Sequence, residues 1–191
     1  MSRQPIRQYN IKEYFELEKH SSIRYEYSYG QIFAMVGASQ NHNRIANAVN
    51  TRFYMQLLNG SCESFMADTR VRVNENLYYY PDVVIACSAS FQSIEGVDNL
   101  INPVLIAEVL SKSTARFDQD AKFRDYQQIE SLRYYLLLSQ YEVSVTLFAK
   151  SDTSNWTSQS YTTLDDVIDF PLLNASLLVR DIYFKVNFEP S

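Results

Sequence analysis

Glycine and proline are scarce, at 4 and 5 of 191 residues, which excludes low-complexity, collagen-like and linker-rich architectures. The two cysteines, Cys62 and Cys87, stand apart with no CxxC spacing, and no histidines cluster. Neither a disulfide framework nor a tetrahedral zinc site can therefore be read from them, and a reducing compartment is expected. Basic charge is lacking too. A formal net charge of −5 and a pI near 5.1 exclude a general field that would hold nucleic acid or anionic membrane without specificity. No stretch approaches about 18 consecutive apolar residues, and "MSRQPIRQYNIKEY" has no apolar signal core, so a soluble cytoplasmic protein without membrane contact is expected.

What is present is ordinary globular material: 46% hydrophobic and 20% charged residues, with no visible repeat or linker. A single domain over residues 1–191 is expected, with about 70% of the unfolded surface buried. Asn10 with Glu13 three residues on forms a capping-box signature for a first helix. "RYEYSYGQIFAMV", Arg24 to Val36, reads as a hairpin turning at Gly30. After Ser39 or Asn41 as N-cap, Ile45, Val49, Phe53 and Leu57 recur four apart on one helical face, and Gly60 marks its stop.

Strands are expected at "SFMADTRVRV", "LYYYPDVVIAC", "PVLIAEVLS", "RYYLLLS" and "EVSVTLFAK", with a weaker one at "NWTSQSYTT" and a loop over residues 88–102. Thr114 opens a helix in which Phe123, Tyr126 and Ile129 mark the buried side. The tail should pack Leu173, Leu177, Leu178 and Ile182 on the core as short helical turns. This order gives a mixed β-sheet flanked by helices, an α/β or α+β domain.

Three residues stand out. Asp82 follows Pro81 inside an apolar strand, where the proline removes a ladder donor and the carboxylate is costly to bury. Glu108 is alone in the apolar run "PVLIAEVLS", and Lys122 lies in the helix that follows. Two carboxylates on neighbouring strands can hold a hard divalent cation, and a lysine beside them can orient water or steady charge on a scissile phosphate. The plainer alternatives are a turn-stabilising Asp82, a Glu108 paired with an arginine, and a solvated Lys122 facing Asp118 at i,i+4. His42, near a helix start, could assist such a site or merely cap or pack. The 15 tyrosines read mainly as sheet and core residues.

The blocks "RYEYSYGQIFAMVGASQNHNRI", "YYYPDVVIAC" and "LIAEVLSKSTARFDQDAKFRDYQQIESLRYYLLLS", in that order and with a late "RDIY", resemble the Uma-type restriction endonucleases, a branch of the PD-(D/E)XK nuclease superfamily. The resemblance spans roughly Tyr25 to Tyr183. It implies a restriction-endonuclease-like core, with Asp82 and Glu108 as ligands of Mg²⁺ or Mn²⁺, Lys122 in the helical "D…K…Y" run between Asp118 and Tyr126, and Glu26 as an upstream acid of the site. It further implies a Mg²⁺-dependent endodeoxyribonuclease with DNA as substrate; a homodimer is expected because cutting two strands needs two sites. Leu110 stands where the superfamily's usual lysine would be, and Lys112 replaces a proline of the family. The other reading is a non-catalytic nucleic-acid-binding or protein-interaction domain on the same fold.

Overall fold

The computed structural model of the chain describes residues 7–35, 37–112, 115–153 and 155–188. Helix α1 (Ile11–His20) opens with the expected capping box, in which the Glu13 N–H donates to Asn10 and the Asn10 N–H donates to Glu13. A hairpin follows, β1 (Tyr25–Ser28) and β2 (Gln31–Ala34). Its two turn residues, Tyr29 and Gly30, both have positive φ, the two-residue geometry that matches strand twist. Val36, the end of the expected hairpin, lies outside the described residues.

Helix α2 (Gln40–Leu57) is capped by Ser39, whose side chain accepts from the His42 N–H. It buries Ile45, Val49, Phe53 and Leu57, the stripe its sequence announces. Then come β3 (Cys62–Met66), β4 (Val71–Asn74), β5 (Leu77–Tyr79), β6 (Val83–Cys87), β7 (Phe91–Ile94), β8 (Val97–Leu100) and β9 (Pro103–Leu110). Helix α3 (Ala115–Phe117), a π-helical turn (Asp118–Lys122) and α4 (Phe123–Tyr126) run consecutively; Thr114, the expected cap, lies outside the described residues. The chain continues through β10 (Tyr134–Ser139), β11 (Val145–Lys150), β12 (Trp156–Tyr161), β13 (Val167–Phe170), a 3₁₀ turn (Pro171–Leu173), β14 (Ala175–Leu178) and α5 (Val179–Ile182).

Two six-stranded mixed sheets result. One has the order β2-β1-β5-β4-β8-β7, the other β12-β11-β10-β9-β6-β3, with β13 and β14 as a separate pair. In the second sheet β9 and β10 run parallel, joined by the crossover through α3 and α4, while β6 lies antiparallel to β9. Side chains alternate across it. Val83, Ile85, Leu105, Ala107 and Val109 pack with α2 and the tail. Val84, Ala86, Ile106, Tyr135 and Leu137 pack with Phe123, Tyr126 and the first sheet's Val71, Leu77 and Tyr79. Helix α1 closes the far side of the first sheet through Tyr14 and Phe15 on Tyr27 and Tyr78.

Several expectations change. "LYYYPDVVIAC" is two strands: β5 belongs to the first sheet, β6 to the second, and Tyr80-Pro81-Asp82 is the crossing between them. At a crossing the missing proline N–H leaves no ladder bond unmade. Residues 88–102 hold the β7–β8 hairpin, whose turn residues Glu95 and Gly96 both have positive φ. The tail buries Leu173, Leu177 and Ile182, but Ala175–Leu178 is a strand paired with β13 and Leu178 is only half-buried. Cys62 and Cys87 are not isolated: they face one another in the β3–β6 register and are disulfide-bonded. Among the described residues no helix is long and apolar enough to cross a membrane.

Burial of a charge explains how α1 is fixed. Arg70, 1% exposed, donates from Nε to Asn99 (2.6 Å) and from Nη1 to Tyr14 (3.2 Å), lies 3.3 Å from Glu18, and stacks over Phe15. Glu18 also accepts from the Tyr25 N–H and the Tyr80 hydroxyl. Removing one member of such a pair strands the other in low dielectric. Glu18→Ala is therefore expected to lose about 3–5 kcal/mol in urea unfolding, whereas Asp68→Ala, which breaks the exposed Arg24–Asp68 pair, should lose under about 1 kcal/mol. Equal losses would show that Arg70 and Glu18 do not act as a buried pair.

Candidate active site at the crossing between the sheets

Asp82 sits just before β6. The β6–β9 register pairs Val83 with Ala107, and one step further along it Asp82, just before β6, comes opposite Glu108, two residues before the end of β9. Alternation puts Glu108 on the Ile106 side of the sheet, facing Phe123 and Tyr126 rather than α2. The π-helical turn lies over this face. Its Asp118 carbonyl accepts from the Tyr135 hydroxyl of the sheet below (3.0 Å), so a sheet side chain engages the backbone where the regular helix is interrupted.

Lys122 leaves this turn with its ammonium 2.9 Å from Glu108 Oε1 and 2.9 Å from Glu26 Oε1. Asp118, one turn back, is 4.0 Å away. Glu26 comes from β1 of the other sheet and also accepts the Tyr80 N–H at 3.1 Å. The Tyr126 hydroxyl donates to Glu108 Oε1 at 3.2 Å, and the ammonium lies over the rings of Tyr79 and Tyr126. Asp82 uses Oδ2 to accept the Val109 N–H at 2.7 Å, and His42 Nε2 lies 3.1 Å from the same oxygen.

The structure thus brings Asp82, Glu108, Lys122 and Glu26 to one junction, together with Asp118 and His42. Lys112 goes elsewhere: it is exposed, with its ammonium over Tyr141. His42 could not be assigned from sequence, because its relation to Asp82 depends on how α2 docks on the second sheet. Its position three residues after the Ser39 cap was the only local signal.

Among the described residues three carboxyl groups, on Glu26, Asp82 and Glu108, share this junction with one ammonium, with Asp118 4.0 Å from it, and the carboxyls outnumber the cation. Burial pushes the Glu108 carboxyl well above the usual glutamate range; Lys122 opposes this, while Asp82, Asp118 and Glu26 add to it. Burial alone would lower the Lys122 ammonium, but Glu108 and Glu26 outweigh it and hold it well above the usual lysine range. The junction is short of positive charge. Among the described residues no group of three or more His, Cys, Asp or Glu is placed to hold a metal ion. Mg²⁺ uses one or two carboxylates and keeps several water ligands, so Asp82 and Glu108 are the residues that could hold one. Asp82, with its side chain 18% exposed, gives the junction an edge open to solvent.

A cleft of about 300 Å³ opens elsewhere, beside Glu18, Arg24, Asp68, Arg70 and Asp98. Arg24–Asp68 and Arg70–Glu18 already pair there, so the unbalanced charge, not the cleft, marks the candidate site.

Comparison with known proteins bears on these residues. A family model described as "Putative restriction endonuclease", Uma2, matches residues 11–180. Two uncharacterized proteins of Synechocystis are each 33% identical to the chain. One aligns over 185 residues, 96% of both chains; the other over 145 residues, 75% of this chain and 82% of the relative. A crystal structure of a putative nuclease from Anabaena variabilis superposes with a TM-score of 0.75 at 15% identity, covering 92% of this chain and 97% of that one, and so supports the restriction-endonuclease-like fold.

The raised Glu108 carboxyl sets a pH dependence. Folding takes up a proton there between the ordinary glutamate value of 4.5 and the higher folded value, so this contribution to stability is complete below 4.5 and lost as pH rises through the folded value. Glu108→Gln, which leaves Lys122 paired with Glu26, should therefore melt above wild type at pH 8, by about 2–4 °C for each ~1 kcal/mol of relieved charge burial. The difference should shrink toward pH 4.5. A variant that melts lower than wild type at pH 8 would mean that the Lys122 pairing outweighs the burial cost.

Proposed function

The chain belongs to the Uma2 family, within the PD-(D/E)XK nuclease superfamily, and from that premise we propose that it hydrolyses DNA phosphodiester bonds as a Mg²⁺- or Mn²⁺-dependent endonuclease. The observation that carries this reading is the convergence of Asp82, Glu108 and Lys122 from three elements at one buried junction, where the ammonium lies 2.9 Å from both Glu108 and Glu26. Asp82 and Glu108 would hold the cation, which when bound supplies Lewis acidity to the phosphate and acidifies a water nucleophile.

The chain's own groups have distinct tasks. Lys122 is held between Glu26 and Glu108 and cannot swing freely, so its ammonium is already oriented to stabilise charge gathering on the scissile phosphate or to position the attacking water. Glu26 keeps that ammonium in place and is itself fixed by the Tyr80 N–H. Tyr126, donating to Glu108 Oε1, restrains the second carboxylate.

One observation favours a second reading. Lys122 is already paired at 2.9 Å with two carboxylates, and no three-ligand group occurs among the described residues. A structural charge knot in a non-catalytic nucleic-acid-binding or protein-interaction domain would look similar.

Cleavage of supercoiled plasmid with Mg²⁺ or Mn²⁺ separates the two. Wild type should nick and linearise the DNA and EDTA should abolish this. Asp82→Asn should lose at least about 100-fold, within the range by which enzymes depend on electrostatic groups. Lys122→Ala should lose at least about tenfold, equivalent to ~1.4 kcal/mol of transition-state stabilisation. Folded wild type that leaves plasmid intact with either cation, or Asp82→Asn that cuts as fast as wild type, would favour the charge knot.

A further inference from the structure

Around Asp82 the polar contacts close into a ring. The Val109 N–H donates to Asp82 Oδ2 at 2.7 Å, and His42 Nε2 meets the same oxygen at 3.1 Å. The His42 backbone N–H donates to the Ser39 hydroxyl at 3.1 Å, that hydroxyl donates to Gln140 Oε1, and Gln140 Nε2 donates to the Leu110 carbonyl at 2.8 Å. Leu110 directly follows Val109, so the first turn of α2 is tied at two points to the end of β9.

Two plainer roles for the His42 imidazole fit poorly. Capping α2 is the work of Ser39 and the His42 backbone, not of the ring. Packing would be better served by an apolar side chain, because His42 Nδ1 is buried without a hydrogen-bond partner among the described residues. An unpaired buried polar atom costs about 1–3 kcal/mol. The described polar contact of the ring is the one with Asp82, on an oxygen that already accepts a backbone N–H.

We infer that His42 is a positioning residue for Asp82: its Nε2–H and the Val109 N–H together lock Oδ2, stop the carboxylate from rotating, and leave Oδ1 for a divalent cation. The inference rests on the reading of Asp82 as a cation ligand. One donor would leave the carboxylate free to turn about its Cβ–Cγ bond. A second donor on the same oxygen, from a ring anchored to a capped helix, fixes its plane. Side chains that orient a ligand in this way typically support metal affinity by about 10–100-fold.

The test is Mn²⁺ binding to the whole chain by calorimetry, with thermal melts as the fold control. His42→Phe fills the volume without a donor and should bind Mn²⁺ at least about tenfold more weakly. His42→Gln places an amide N–H near the position of Nε2–H and should stay within about threefold of wild type, well inside that tenfold loss. A folded His42→Phe that binds like wild type, or a His42→Gln as weak as His42→Phe, overturns the inference. Nitrogen-15 spectra of the imidazole decide the matter without substituting position 42. An Nε2-protonated ring in wild type, with mixed tautomers in Asp82→Ala, supports the contact; the same tautomer distribution in both proteins overturns it. Should wild type bind no Mn²⁺, the cation reading of Asp82 falls, and the spectra still report whether His42 holds that carboxylate.

Discussion

The ammonium of Lys122 lies 2.9 Å from two carboxylates that belong to different sheets, Glu26 on β1 and Glu108 on β9. The lysine itself comes from a third element, the π-helical turn of the β9–β10 crossover. The contact therefore works at a distance in sequence, holding two sheets and a helix at one point. Burying an ammonium there is tolerable only because the carboxylates come with it, and burying the carboxylates is tolerable only because of the ammonium. With Asp82 added, the carboxyl groups at the junction outnumber the one ammonium found there among the described residues. A fold gains nothing from such an excess, and strain of this kind is what a binding or catalytic site asks of its scaffold.

The surrounding architecture explains how the excess is sustained. Tyr80-Pro81-Asp82 carries the chain from one sheet to the other, and each residue of the crossing has a separate task. The Tyr80 N–H bonds Glu26 and its hydroxyl bonds Glu18, Pro81 stands where no ladder donor is needed, and Asp82 turns to Val109 and His42. The Arg70–Glu18 pair behind Tyr80 is a second buried charge system, balanced within itself. One residue thus touches a neutralised pair on one side and an unneutralised cluster on the other.

Much of this was legible in the sequence, for local reasons. The capping box at Asn10, the hairpin at Gly30 and the apolar stripe of α2 are set by neighbours within a few residues. Asp82 and Glu108 stood out because each interrupts an apolar run. Tertiary register was not legible. Nothing local says that Tyr79 and Val83 lie in different sheets, or that Cys62 and Cys87 face each other across β3 and β6. The β7–β8 hairpin escaped because β7 is mostly exposed and the turn is Glu-Gly rather than Asn-Gly. Glu26 was named through family resemblance alone; in "RYEYSYG" it alternates like any exposed strand residue, and only the docking of the two sheets brings it to Lys122.

The surplus of negative charge at this junction is proposed as the place of a divalent cation. Anomalous diffraction from a crystal soaked in Mn²⁺ tests it most directly. The account predicts an anomalous peak in contact with carboxylate oxygens of both Asp82 and Glu108. A well-occupied Mn²⁺ elsewhere on the chain, with none between those two side chains, would contradict it.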